Sequence, residues 1–286
     1  MKIQYEVLTL RKKTIELLKH IAEICDEYQA KGLLISVRQC YYQCVSRGLC
    51  DNSQDEYNKI ADVIMKGRLA GLLDWDIIED RTRYTRENAH WSSPQEIIRD
   101  AAEQYRIDTR ATQKRYVECW IEKDSLVSIL EQTCSRLDVP CLSCRGYPSI
   151  TALYEAANRF RDKPNPIILY AGDHDPSGLK IPKVIQDRLT NTFCVNVEVR
   201  RIGLALEQIQ ELNVPPYPAK NQDANYQEYV ETTGLTQAWE LDAMPPDRLA
   251  EIFENAINEL TDFQELQRLR EKENTDKRVF SEMLNF

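Results

Sequence analysis

The chain lacks any apolar run approaching the roughly 20 residues that carry a helix across a bilayer, so no membrane role is expected. Its opening stretch, MKIQYEVLTLRKK, lacks the apolar core of an export signal, and a cytoplasmic location is expected. Nine cysteines are present, but only Cys141 and Cys144 form a CxxC. No second cysteine or histidine pair stands at zinc-finger spacing to complete four ligands. Reduced, buried thiols are therefore expected in place of a disulfide framework or a zinc site. Repeats, low-complexity tracts and long flexible linkers are missing as well. An excess of positive charge is also absent: the net charge is −9, which argues against a surface that is polyanion-binding throughout. The imbalance is uneven, with 17 Lys+Arg against 18 Asp+Glu in residues 1–112 and 20 against 28 in the remainder. A near-neutral first part can present a local basic face, whereas the acidic remainder needs metal ions to approach phosphate.

What is present fits a two-domain globular chain of 286 residues, divided at about residue 112. Residues 11–30 carry Leu17, Leu18, Ile21 and Ile24 at helical spacing, with Gly32 as a stop. A second helix starts at Ser36, where Ser-Val-Arg-Gln has the form of a capping box, and Gly48 closes it. A third runs over about 56–69, and LLDWDIIEDRTR (72–83) reads as an extended hairpin or wing. Three short helices and a ribbon predict a winged helix-turn-helix. After a polar helix at 94–105, strand-like segments at 116–121, 139–144, 166–172 and 194–202 alternate with helices of 10–15 residues, which predicts a doubly wound parallel sheet. Residues 214–226 read as one long loop, and the chain from Pro246 onward as charged amphipathic helix.

The stretch YAGDHDPSG (170–178) sets two aspartates one residue apart where a buried strand ends. In an open parallel sheet, ligands bind beyond the carboxyl ends of the strands. Asp173 and Asp175 are expected there, and so is Glu122, directly after the first strand. Three converging carboxylates repel one another and hold their protons unless a divalent cation neutralises them. Oxygen ligands without an imidazole cage favour Mg²⁺ or Mn²⁺. DHDPSG also has the composition of a plain turn, and the two readings stay open on residues alone. His174 reads as solvent-facing or as a support for the ligands.

IEKDSL (121–126), SCRGYPS (143–149) and AGDHDPSG (171–178) together resemble the Toprim domain. Within that superfamily they are most similar to the A subunit of topoisomerase VI and its relative, the meiotic double-strand-break transesterase. The resemblance implies a CAP-like winged-helix domain at 1–112 and, at 113–286, a Toprim domain with a Rossmann-like sheet and a helical C-terminal extension. It implies Glu122, Asp173 and Asp175 as Mg²⁺ ligands and Gly146 as the tight turn beside them. The family keeps its nucleophilic tyrosine in the form R-x-x-Y-Y, here RQCYY (38–42). Val37, Cys40, Tyr41, Cys44 and Val45 form one apolar helical face, which makes Tyr41 core. Tyr42 lies about 100° away on an exposed stripe with Arg38 one turn below. An adjacent guanidinium favours the phenolate and can hold a phosphate oxygen, although spacing alone equally allows a surface Tyr-Arg stack.

The resemblance implies an enzyme that breaks double-stranded DNA through a 5′-phosphotyrosyl intermediate, works as a homodimer and shares its site between subunits. Two alternatives stay open: a Toprim endonuclease that hydrolyses DNA without a covalent intermediate, and a non-catalytic winged-helix DNA-binding protein. Arg81 and Arg83 in the wing and Arg145 beside the GYP turn read as phosphate contacts or as solvated surface charges. The resemblance covers about residues 30–205, and WELDAM (239–244) resembles a short family motif too loosely to carry a role. The chain holds no ATP-binding elements, so an ATPase partner encoded elsewhere is implied for any strand passage. Its size resembles the compact stand-alone Mini-A relatives of bacterial and mobile genomes.

Overall fold

The computed structural model describes residues 2–79 and 88–284. Helix α1 (Lys12–Ala30) turns Leu18, Ile21, Ile24, Cys25 and Tyr28 inward along one stripe. Strand β1 (Ile35–Ser36), helix α2 (Val37–Ser46) and helix α3 (Gln54–Leu69) follow. Ser36 sets the start of α2: its hydroxyl accepts from the Gln39 N–H at 3.3 Å, and the Gln39 side chain accepts from the Ser36 N–H at 2.6 Å, the reciprocal cap that the sequence predicts. Strand β2 (Ile78–Glu79) runs parallel to β1. Of the hairpin or wing expected over 72–83, residues 80–83 lie outside the described residues. Ile35 and Ile78 are both buried, so the first arm is drawn alongside the strand that precedes α2. Arg81 and Arg83 lie outside the described residues.

After helix α4 (Pro94–Gln104) the chain alternates as β3 (Val117–Ile121), α5 (Val127–Leu137), β4 (Cys141–Ser143), α6 (Ile150–Phe160), β5 (Ile167–Ala171), α7 (Pro176–Asp187) and β6 (Glu198–Gly203). The four strands form one sheet, all parallel, in the order β4-β3-β5-β6. The central strands β3 and β5 are buried at every position, as a parallel strand covered on both faces must be. Alternate residues serve the two sides. Cys119, Ile121, Ile167 and Leu169 join the cluster that holds Leu130 of α5 and Phe253, whereas Trp120, Ile168 and Tyr170 pack with Leu153 and Phe160 of α6 and Ile181 of α7.

Glu118 is the exception on the second face. Only 1% exposed, it accepts from Tyr116 Oη at 3.0 Å, Trp120 Nε1 at 2.9 Å and Arg159 Nε and Nη2 at 2.8 and 3.0 Å. Four donors make an ionised carboxylate tolerable inside the sheet layer.

The remainder runs through α8 (Leu206–Leu212), β7 (Tyr217–Pro218), α9 (Tyr226–Thr233), β8 (Gln237–Ala238), α10 (Pro246–Glu259) and α11 (Phe263–Leu284). Strand β7 thus lies within the stretch expected as a loop and pairs antiparallel with β8. Helix α10 packs on α5 and β6, and α11 on α4, where Tyr105 Oη donates to Asp276 at 2.9 Å. The buried side chains of α1–α3 join the cluster on the first face of the sheet, so this interior is continuous from Leu18 to Ile257. The division expected at about residue 112 is not a gap in that core.

Candidate functional site

Strands β3 and β5 are neighbours in register, with Ile121 opposite Ala171. Their carboxyl ends therefore deliver Glu122 and the Asp173–Asp175 turn to one edge of the sheet. Glu122 Oε2 accepts from the Asp173 N–H at 2.9 Å and from Tyr170 Oη at 3.4 Å. Asp173 Oδ1 accepts from the Leu241 N–H at 2.8 Å, and its Oδ2 lies 2.6 Å from Lys123 Nζ. Asp175 caps α7: Oδ1 accepts from the Gly178 N–H at 2.6 Å and Oδ2 from Tyr217 Oη at 3.4 Å. Gly146, at φ +84°, makes the turn after β4 and donates its N–H to the Glu122 carbonyl at 3.1 Å. All three carboxylates expected from the sequence therefore lie at one strand edge.

The turn that presents the aspartates is tight. A Cβ at Gly178 would lie 2.3 Å from the Asp173 carbonyl oxygen, too close for any side chain. Gly178→Ala is therefore expected to cost about 1–3 kcal/mol and to displace Asp173, measured by chemical denaturation. A loss below about 0.5 kcal/mol would mean that the turn relaxes freely.

Burial and the Asp175 charge raise the Glu122 pKa, with the Asp173 N–H and Lys123 opposing. Burial and the Glu122 charge push Asp173 up to about 8, although Lys123 opposes them. Burial works against the Lys123 charge in turn, but Asp173 outweighs it and keeps the ammonium protonated. The edge thus holds its protons more tightly than free carboxylates do.

His174 is 5% exposed, which corrects the expectation that it faces solvent. Its ring is enclosed by Trp239 and Tyr229, and Nδ1 lies 3.0 Å from the Leu204 carbonyl oxygen. Its backbone pairs with Trp239, the N–H of each donating to the carbonyl of the other at 2.9 and 3.0 Å. Residues 239–242 are thereby strapped across the aspartate turn. This segment, the WELD of the WELDAM motif, carries two carboxylates that sequence reasoning left without a role.

Those carboxylates reach Tyr42. Glu240 Oε2 accepts from Tyr42 Oη at 2.6 Å and from Arg38 Nη2 at 2.6 Å. Asp242, with no side-chain exposure, faces Arg38 Nε at 3.3 Å and accepts from Ser125 Oγ at 2.5 Å. Arg38 also stacks over the Tyr42 ring at 5.7 Å. The expectation that Tyr42 lies on an exposed stripe is overturned: it is 5% exposed. The α2 periodicity identifies the face turned toward α1 and α3, and the other face is covered by chain some 200 residues later. Tyr41 is buried as expected, its hydroxyl donating to Asn52 Oδ1 at 3.0 Å.

The expected phenolate is corrected too. Burial and the bonded Glu240 raise the Tyr42 pKa, and Arg38 offsets only part of this. Burial also opposes the Glu240 charge, but the Tyr42 hydrogen bond with Lys123 and Arg38 outweighs it, so Glu240 stays ionised below its ordinary range. A cavity of about 340 Å³ opens beside this group, lined by Arg38, Tyr42, Tyr57, Tyr217 and Glu240 among others. Tyr217 connects the two halves, since it also donates to Asp175.

Arg145 is 75% exposed at the side chain and pairs with Asp124 at 3.1 Å, on the turn next to Gly146. It is open to a ligand at the rim of the carboxylate edge.

For a hard divalent cation the donor chemistry is suitable: oxygen only, with protons held against the usual carboxylate behaviour. Glu122, Asp173 and Asp242 are each driven toward the protonated form by burial, which a bound cation would reverse. Among the described residues, no three His, Cys, Asp or Glu groups converge closely enough to hold an ion as they stand. Lys123 Nζ stands at 2.6 Å from the Asp173 oxygen that a cation would take. Neither protein-family models nor curated proteins gave a match to this chain.

Proposed function

We propose that the chain is a DNA strand-breaking transesterase of the topoisomerase VI A-subunit kind, with a winged-helix part at 1–112 carrying Tyr42 and a Toprim part at 113–286. The observation that carries this reading is the strap at 239–242. Through it the Tyr42 hydroxyl and the Asp173 carboxylate are tied to consecutive residues, Glu240 and Leu241, of a single segment. A tyrosine hydroxyl bonded to a carboxylate that can take its proton, beside a carboxylate edge suited to a cation, suits attack on a phosphodiester. Mg²⁺ or Mn²⁺ held by Glu122, Asp173 and Asp175 would neutralise phosphate oxygens when bound. Arg38 and Lys123, both paired to carboxylates in the resting site, are the cations available to a phosphate. Arg145 extends that contact at the rim, and double-stranded DNA is the substrate. A homodimer, an ATPase partner on a separate chain and a bacterial, phage or mobile-element setting are parts of the same proposal, with Tyr42 and the carboxylate edge meeting within one chain where the resemblance implies a site shared between subunits.

A second reading, hydrolysis by metal-activated water, is favoured by one observation: Tyr42 is nearly enclosed and fully hydrogen-bonded. The experiment that separates them compares wild type with Tyr42→Phe on supercoiled plasmid and Mg²⁺, denatured with and without protease. Protein-linked breaks in wild type and none in Tyr42→Phe are expected. Since one hydroxyl is removed and Glu240 keeps Arg38, stability should fall by only about 1 kcal/mol. Cutting by Tyr42→Phe at the wild-type level would exclude the transesterase and leave hydrolysis; no cutting by either protein would leave a DNA-binding module.

A further inference from the structure

Resting on the transesterase reading, we infer that Glu240 is the group that takes the proton from Tyr42 as the phosphodiester is attacked, and that Asp242 positions it through Arg38. A tyrosine hydroxyl cannot bond to phosphorus and keep its proton, so an acceptor has to stand within hydrogen-bond reach of Oη. Glu240 Oε2 stands at 2.6 Å from Tyr42 Oη. Arg38 cannot act as this acceptor, because a guanidinium has only donors.

The geometry around Glu240 is that of a held base. Arg38 Nη2 fixes the same Oε2 at 2.6 Å, Asp242 faces the other side of that guanidinium at 3.3 Å, and Ser125 fixes Asp242 at 2.5 Å. The backbone at 239–241 is tied down on both sides by the His174–Trp239 pair and by the Leu241 N–H on Asp173. The segment thus holds the proton acceptor fixed on the Tyr42 hydroxyl, which is what a concerted displacement demands. Arg38 is half-exposed beside the cavity. When a phosphate draws Arg38 toward itself, Glu240 loses a donor and becomes more basic as the proton is released.

In the step, the Tyr42 oxygen bonds to phosphorus and the bond from phosphorus to the 3′-oxygen breaks. The phenolic proton goes to Glu240. The departing 3′-oxygen takes a proton from water, and the resulting hydroxide is neutralised by the proton that Glu240 gives up. The products are a 5′-phosphotyrosyl link and a free 3′-hydroxyl.

The test uses the full chain and the rate of covalent adduct formation on supercoiled plasmid. Glu240→Gln keeps the shape and the hydrogen bond but accepts no proton. A fall of about 10²–10⁴-fold is expected, with melting temperature and DNA affinity unchanged. The residual rate should climb steadily with pH as hydroxide replaces the missing base. Placing the more acidic 3,5-difluorotyrosine at position 42 should rescue Glu240→Gln in part, a response that a merely structural role would not give. Wild-type rates in Glu240→Gln while Tyr42→Phe is inactive would overturn the inference and leave the transesterase standing. A slow variant that difluorotyrosine fails to rescue, or one that no longer folds, would assign Glu240 to structure and overturn it equally. Adducts formed by Tyr42→Phe, or none by wild type, would remove the transesterase reading itself.

Discussion

Replacing Asp173 by asparagine is expected to abolish divalent-dependent strand breakage and, in the same protein, to flatten the dependence of stability on pH. The Asp173 carboxyl is pushed up to about 8 by burial and by the Glu122 charge. In the unfolded chain it releases its proton near the ordinary value of about 4. Between these two values the folded state binds more protons than the unfolded state, so the stability from this group is fully present below about pH 4. It is lost as the pH rises through about 8. Lys123, which faces the same oxygen, is already counted in that value, and the decline is on the order of several kcal/mol. Asparagine has no proton to release, and its melting temperature should stay level where the wild type falls. Added Mg²⁺ should restore the wild type at about pH 8 and leave Asp173→Asn unmoved. Calorimetry with chelator and with Mg²⁺ reads both effects; a wild type that gains stability from about pH 5 to 8 would sink the argument.

The second large effect lies on the opposite face of the sheet. Arg159→Leu is expected to destabilise the fold by about 2–3 kcal/mol, the low end of what removing one partner of a buried pair costs, because Arg159 is itself part-exposed. The loss strands Glu118 in the interior with only the neutral donors Tyr116 and Trp120. Adding Glu118→Gln to Arg159→Leu should recover most of it, since the stranded charge is then gone. Urea unfolding of the single and double variants measures this. A double variant no more stable than the single one would show that Arg159 acts through packing.

Local signals were the legible ones. The cap at Ser36 is read correctly because both partners lie within four residues. Glu122 and the two aspartates stand at strand ends as expected, because an apolar run followed by a carboxylate marks such an end and a parallel sheet brings these ends together. Tyr42 was misplaced because helical spacing reports which residues share a stripe and not what covers the other side. Glu240 and Asp242 were missed for the same reason, since WELDAM carries apolar residues and acids without a partner in its own neighbourhood. Glu118 interrupts an otherwise apolar strand, the pattern of a buried charge, yet its counter-ion Arg159 is supplied from α6, three elements later.

The Tyr42–Glu240 contact spans 198 residues. Closing so long a stretch carries a large entropic cost and belongs to the slow part of folding, after helices and neighbouring strands have formed. A nascent or partly folded chain therefore carries its tyrosine with no acid beside it. The Tyr42–Glu240 pairing becomes a report on completed folding.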